Sequence, residues 1–589
     1  MKPSWCNLRE LTLITLAYAV LTTLLTYPLL FQLDVGPVSH SSDAWILLWN
    51  NWWTQHALAN GHSLFYTTNM FFPAGVSLAA HSFSFTHTLI SALFAPFTSP
   101  IAAYNLAIWL IFPVAGLSLY ILARDVTHSR AAAWIAGLIY AFAPYHLTQA
   151  LGHPHLSYVQ FIPLGVWGLL KAWRTSCWPY AVIAIGCFVL TAYAGPHLLV
   201  VTGAWLAIFI PLELLMRHQR VTRSQVGQLL VIGAGVAVLV LPLLLPAVSD
   251  MAQGQSASEL QTGDFDNTQT DALAWLLPTR YHPVFGSALT PVYANLSKNN
   301  QWMPYLGYTA LLLSICGIGA QRRYALSWLI SGLFCLILAL GTPLRFYGVT
   351  YTEVPLPFAL LQNVFPFSFI RSPDRFNLIV SLPLALLAAF GVTAILNQIT
   401  RQFVRGAITL GLSGLIAFEY LALPYPMLSR PPASPFMTGL AADSDAYAIL
   451  DLPMGRNPSK LYLYWQTLHH KPLVEGHVSR TPQQAYDFIQ NNALLQALQQ
   501  PAQALLTEQQ AAVARQQLCA QDVRYIIIHR SMVTAKQVAQ YRALLKITPR
   551  YEDEWVIVFE LADTGPGWPP VHCLSGPTSL WYNPTHVDE

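Results

Sequence analysis

Long apolar runs separated by short polar segments dominate the first 424 residues. Runs of spanning length lie at about 11–31, 101–123, 131–149, 157–171, 179–195, 198–216, 226–246, 303–320, 324–341, 376–397 and 406–424. Most reach the roughly 17–25 residues a helix needs to cross a bilayer, with 157–171 and 179–195 at the short end. Residues 1–424 are therefore expected to form a polytopic α-helical membrane domain of about eleven spans. Two further apolar stretches are left out of the count. Treating 84–97 (SFTHTLISALFAPF) as a span would reverse every later loop, so it is expected to be interfacial or re-entrant on the outer surface. In 44–60, Trp45, Trp49, Trp52 and Trp53 suit an aromatic belt at the membrane–water interface.

After Pro424 the pattern shifts to shorter periods. Residues 425–436 (YPMLSRPPASPF) form a Pro/Ser-rich linker, and 437–563 read as a soluble α/β domain. YAILDLP (447–453), VRYIIIHR (523–530) and WVIVFEL (555–561) have the apolar, β-branched content of buried strands. Helical patterns at 482–500 and 507–520 lie between them. The tail 564–589 carries five prolines and is expected to be loosely ordered.

Charge fixes the orientation. Charged residues make up 10% of the chain, against about 25% in an average soluble domain. With the N-terminus in the cytoplasm, the inner loops collect Lys2, Arg9, Arg124, Arg130, Lys171, Arg174, Arg217, Arg220, Arg223, Arg322, Arg323, Arg401 and Arg405. The outer loops hold only Arg280, Lys298, Arg345, Arg371, Arg375 and Arg430. That asymmetry obeys the positive-inside rule and puts the C-terminal domain outside. A net charge of +3 without any basic run argues against a nucleic-acid partner. The seven cysteines have no metal-binding spacing, and only Cys519 and Cys573 are placed to join in an oxidising compartment.

Three outer segments are long, 32–100, 247–302 and 342–375, and irregular backbone of that kind carries function. Ten of the 18 histidines fall on this outer face: His40, His56, His62, His81, His87, His146, His153, His155, His197 and His282. Such a gathering suits a pocket for phosphate, a metal or sugar hydroxyls, although His is also an ordinary interfacial residue. Asp43 follows Ser41-Ser42 at the start of the aromatic segment, where a carboxylate either caps a helix or acts as a general base or cation ligand. In FPFSFIRSPDRF (365–376), Arg371 and Arg375 flank Asp374 at the depth of a lipid phosphate. In YHLTQALGHPHLSYVQFIPL (145–164), His146, His153 and His155 suit a pocket lining better than a zinc cage. Glu419, near the outer end of the last run, is an intramembrane carboxylate and so a candidate by default.

This layout resembles the GT-C class of membrane glycosyltransferases, most closely its YfhO-like and uncharacterised bacterial members. The segments that carry the resemblance are DAWILLWNNWW, NMFFPAGVSLAAHS (69–82), APYHLTQALGHPHLSYVQFIPLG (143–165), FSFIRSPDRFNL (367–378), ILDLPMG (449–455) and WQTLHHKPLVEGHVSR (465–480). It implies a multi-pass protein of the bacterial plasma membrane that moves a sugar from a polyprenyl-phosphate carrier to an extracytoplasmic glycan, lipid or protein. By position the catalytic carboxylate would be Asp43, with Asp34 in reserve. His81, His146, His153, His155, Arg371 and Arg375 would bind substrate. No cofactor is fixed; a divalent cation, Mg²⁺ or Mn²⁺, is the candidate, yet Asp43 is followed by Ala44-Trp45 rather than a second acid. Two other classes fit the composition: a lipid or solute transporter, and a non-catalytic glycan-binding scaffold. Transporters usually carry mid-membrane charge and repeated broken helices, and neither is evident here.

Overall fold

The computed structural model describes residues 8–217, 221–252, 269–297, 299–301, 304–370 and 372–561. Two compact units emerge. The first holds the chain up to Gln55, then Ser82–Ser249 and on to Arg430; the second holds His56–His81, the segment at Asp250 and the chain from Pro431 onward.

The first unit is helical. Each of the eleven apolar runs is helical along most of its described length, and six helices among the described residues are long and apolar enough to cross a membrane. They are Leu8–Leu25, Pro100–Thr127, Pro196–Met216, Arg223–Ala252, Arg322–Ala339 and Pro373–Asn397. At the centre stands Asn377–Asn397, apolar on every side and buried along nearly its whole length, as an all-round apolar helix should be. Ser99 caps the helix Pro100–Thr127 by accepting from the Ala102 N–H, with Pro100 in the first turn, where its missing N–H costs nothing. Ser129 caps Arg130–Ala141 in the same way.

Helix Phe85–Phe94 has 10 residues and so rises about 15 Å, half the roughly 30 Å of hydrocarbon. The aromatic helix Asp43–Asn60 departs from expectation. Trp45, Trp49 and Trp53 are buried in protein, and the rings of Trp49 and Trp53 stack 5.6 Å apart, one helical turn along the same face. They are core side chains here, not an aromatic belt. Glu419 is likewise spent locally: its carboxylate accepts from the backbone N–H of Thr309, at the start of helix Tyr308–Ala320, and from its hydroxyl at 2.6 Å.

The second unit is built on a four-stranded sheet. Strands Ala448–Leu452 and Val523–His529 run parallel, and Val556–Glu560 joins antiparallel, followed by the short edge strand Tyr551–Glu552. Helix Arg456–His469 follows the first strand, and helices Glu508–Ala520 and Ala535–Leu545 each begin with a capping box, from Thr507 and Thr534. The expected helix over 482–500 breaks into three short pieces, the last capped by Asn492. Segment His56–His81 packs into this unit through backbone bonds from Leu473 to Asn69 and from Phe72 to Leu473. Cys519 is disulfide-bonded, while Cys573 lies outside the described residues.

Candidate functional site

The loop that carries Asp43 is held from two directions. The amide of Asn105, fully buried, donates to the carbonyls of Leu33 and Gly36 and accepts from the Val38 N–H. The chain beyond the last apolar run then lies against the same loop: Ser39 donates to the Pro426 carbonyl, Leu428 to Pro37, and Val38 bridges Met427. So pinned, the chain turns through Ser39 and Ser41 into helix Asp43–Asn60, and the Asp43 N–H donates to Ser41 Oγ at 3.2 Å. Ser41, not Asp43, serves that first N–H.

Asp43 Oδ2 lies 3.4 Å from His153 Nε2. The approach depends on Gly152. Its φ of +101° falls in the region that favours glycine, and a Cβ there would sit 2.6 Å from Ser39 Oγ. The Gly-His-Pro-His loop can thus press onto the Asp43 loop only without a side chain at 152. His155 follows, its ring 5.8 Å from that of His153 and 5.6 Å from that of His197. A second glycine, Gly195, makes the last step possible: a Cβ there would meet the His155 carbonyl at 2.3 Å and the His197 ring at 2.9 Å.

The chain of polar groups continues to the 373–376 turn. His197 feels the charge of Arg375, Arg375 that of Asp374, and Asp374 that of His153. The Tyr145 hydroxyl donates to Asp374 Oδ2 at 3.3 Å. Three buried atoms here find no protein partner: His197 Nε2, Arg375 Nε and Asp374 Oδ1. The buried hydroxyl of Tyr104, which feels the charge of Asp43, is a fourth. Buried polar atoms are normally bonded to protein or ordered water, and each of these four can take a water or a bound molecule as its partner. His40 stands beside the pair, its pKa lowered to about 4 by burial first and then by His153, with Asp43 opposing. It is neutral at physiological pH.

The predicted residues divide accordingly. Asp43, His153, His155 and Arg375 come together. Asp34 is elsewhere, bonded to Ser99 at the start of helix Pro100–Thr127. The His146 ring nitrogens contact the carbonyls of Ala141 and Ser157 at 2.7 and 2.8 Å, tying the end of one helix to a neighbouring loop. His81 belongs to the second unit, where its Nδ1 accepts from the Ser479 N–H and burial lowers its pKa to about 3. Arg371 lies outside the described residues. Tyr104, Tyr145, Asp374, His40 and His197 join the cluster without having been singled out as binding residues. For a cation, no group of three or more His, Cys, Asp or Glu able to hold a metal exists among the described residues. Asp43 and His153 together supply too few ligands of the kind Mg²⁺ or Mn²⁺ prefers.

The sequence matches, over residues 20–415, the family described as a domain of unknown function (DUF6311), and the chain belongs to that family. No curated protein matches it. Among solved structures, the mycobacterial arabinofuranosyltransferase AftD aligns with a TM-score of 0.62 at 14% identity, over 95% of this chain and 40% of that one. The archaeal oligosaccharyltransferase AglB from Archaeoglobus fulgidus, solved with an inhibitory peptide and a dolichol-phosphate, aligns with a TM-score of 0.50 at 15% identity, over 93% of this chain and 73% of that one. Over most of this chain the fold is thus similar to the folds of AftD and AglB.

Proposed function

We propose that this family member is a GT-C-type glycosyltransferase that moves a sugar from a polyprenyl-phosphate carrier to an extracytoplasmic glycan, lipid or protein. It would sit in the bacterial plasma membrane with about eleven crossings, its N-terminus in the cytoplasm and the Asp43 cluster and C-terminal domain outside. One observation carries the proposal: a half-open carboxylate–histidine pair lies near Arg375 and His197, whose buried Nε and Nε2 atoms have no protein hydrogen-bond partner, in a fold used by membrane sugar transferases.

The chemistry assigned to these residues is displacement at the anomeric carbon. The acceptor hydroxyl gives its proton to the Asp43 carboxylate as its oxygen forms the new bond to that carbon. The bond from the carbon to the carrier phosphate breaks, and its electron pair leaves with the phosphate. Arg375, with His197 beside it, would offset the charge that gathers there, and guanidinium geometry suits phosphate oxygens. His153 would hold the Asp43 carboxylate in place. No step is assigned to a metal, since no group of three or more candidate ligands stands together among the described residues.

The test is transfer in proteoliposomes supplied with a panel of polyprenyl-phosphate sugars and acceptors. Release of carrier lipid by the wild type, lost in Asp43→Asn at equal expression, is the expected result. Undiminished turnover in Asp43→Asn would remove Asp43 from the chemistry; retained donor across the panel would count against transfer.

A further inference from the structure

Helix Gln402–Glu419 is barely enclosed: among its residues only Ser413 and Ile416 are buried. Between it and helix Leu8–Leu25 lies a cavity of about 1350 Å³, larger than the roughly 300–1,000 Å³ of ordinary small-molecule pockets. Ala17, Val20 and Leu21 form one wall, and Gly406, Leu410 and Gly414 the other. A Cβ on Gly406 or Gly414 would meet nothing within 4 Å, so there is open space beside the helix at both positions.

One end of this slot is basic. Arg124, His128, Arg130 and Arg405 line it, with Asn397 and Gln402. Arg130 is committed to Glu10 through Nε at 3.0 Å and Nη2 at 2.7 Å, and Arg124 reaches the same carboxylate at 3.9 Å. Arg405 has no ion-pair partner among the described residues. Three guanidinium groups against one carboxylate leave two positive charges at the mouth of an apolar slot. The slot is also remote from Asp43. Tyr104, which feels the Asp43 charge, and Arg124 share one helix and stand 20 residues apart, about 30 Å along its axis.

An elongated apolar slot with a cationic end complements an acyl chain carrying an anionic headgroup, and basic pockets between helices on the cytoplasmic side are where such lipids bind. We propose that this groove holds one anionic phospholipid of the cytoplasmic leaflet, its phosphate between Arg124 and Arg405 and a chain laid against Leu410 and Gly414. The leaflet follows from the basic inner loops; the binding does not depend on the transferase reaction.

Native mass spectrometry of the full-length protein, released from nanodiscs of phosphatidylcholine with a minor share of phosphatidylglycerol, tests this. Wild type should retain one phosphatidylglycerol. Arg124→Gln with Arg405→Gln should retain about tenfold to thirtyfold less, as expected for two lost headgroup contacts. Gly414→Phe, filling open space with every charge intact, should displace the lipid too. Arg322→Gln with Arg323→Gln, equally basic but outside the groove, should change nothing. Equal loss in both arginine pairs, or full retention in Gly414→Phe, would reduce the effect to general surface charge and overturn the site. A co-purifying peptide in place of lipid would overturn it in favour of a partner helix.

Discussion

The Asp43–His153 pair of the helical unit spans 3.4 Å, with its side chains 31% and 32% exposed. The Asp451–His529 pair of the second unit closes to 2.7 Å, with side chains 4% and 2% exposed. The residue types are the same, and on the proposed function the two pairs do opposite work. Asp451 and His529 stand on adjacent parallel strands, and the rings of Tyr462 and Trp465 stack on the imidazole at 4.9 and 4.3 Å. No acceptor can reach them; the pair satisfies two polar groups inside a core. Asp43 opens a helix and His153 sits on a loop that a glycine lets press against it, and both side chains stay about one-third exposed. Access, more than identity, separates chemistry from architecture.

The comparison can be broken at either pair. The largest effect is expected from Asp43→Asn, which should lower transfer by about a thousandfold, the usual scale for a lost general base, while thermal unfolding moves by no more than about 0.5 kcal/mol. Asp451→Ala should do the reverse: chemical denaturation of the full chain should show about 3 kcal/mol of lost stability, because one partner of a buried pair is left alone. A large stability loss in the first variant, or a transfer defect without one in the second, would merge the two pairs into one kind.

Gly152→Ala sharpens the contrast by separating the loops without touching either functional side chain. Its Cβ meets Ser39 Oγ and its φ is strained, so transfer should fall about tenfold and stability by about 1 kcal/mol. A pH dependence comes from the sealed unit. Burial raises the Glu475 carboxyl from its ordinary 4.5 to about 7, against the Gly455 N–H it accepts. The folded state therefore holds that proton more tightly than the unfolded state. Stability is greatest below about pH 4.5 on this account and declines as pH rises toward 7, by on the order of 2 kcal/mol. Unfolding midpoints recorded from pH 5 to 8 should fall in wild type and flatten in Glu475→Gln.

Much of this was legible in the chain. The apolar runs marked the helices because lipid and core both demand continuous apolar surface, and three β-branched segments marked the sheet. Asp43 and Gly-His-Pro-His stood out because polar groups crowd together there in otherwise apolar sequence. Tyr104 and Tyr145 did not, since a single Tyr at the end of an apolar run looks like packing until its neighbours are known. His81 looked like the other outer histidines, yet Met70 fitted beneath Gly476 draws its segment into the second unit, a tertiary contact with no local signature. His146 was spent on two carbonyls, that of Ala141 at the helix break at 142–143 and that of Ser157 at the end of Pro154–Ser157.

The closure of the Asp43 loop by Pro426, Met427 and Leu428 has a consequence for biosynthesis. At about 5–20 residues per second, a ribosome needs tens of seconds to travel from Val38 to Met427. Throughout that interval the early loop lacks the bonds that finish it. A message cut short before Pro426 yields a protein without the residues that make these bonds.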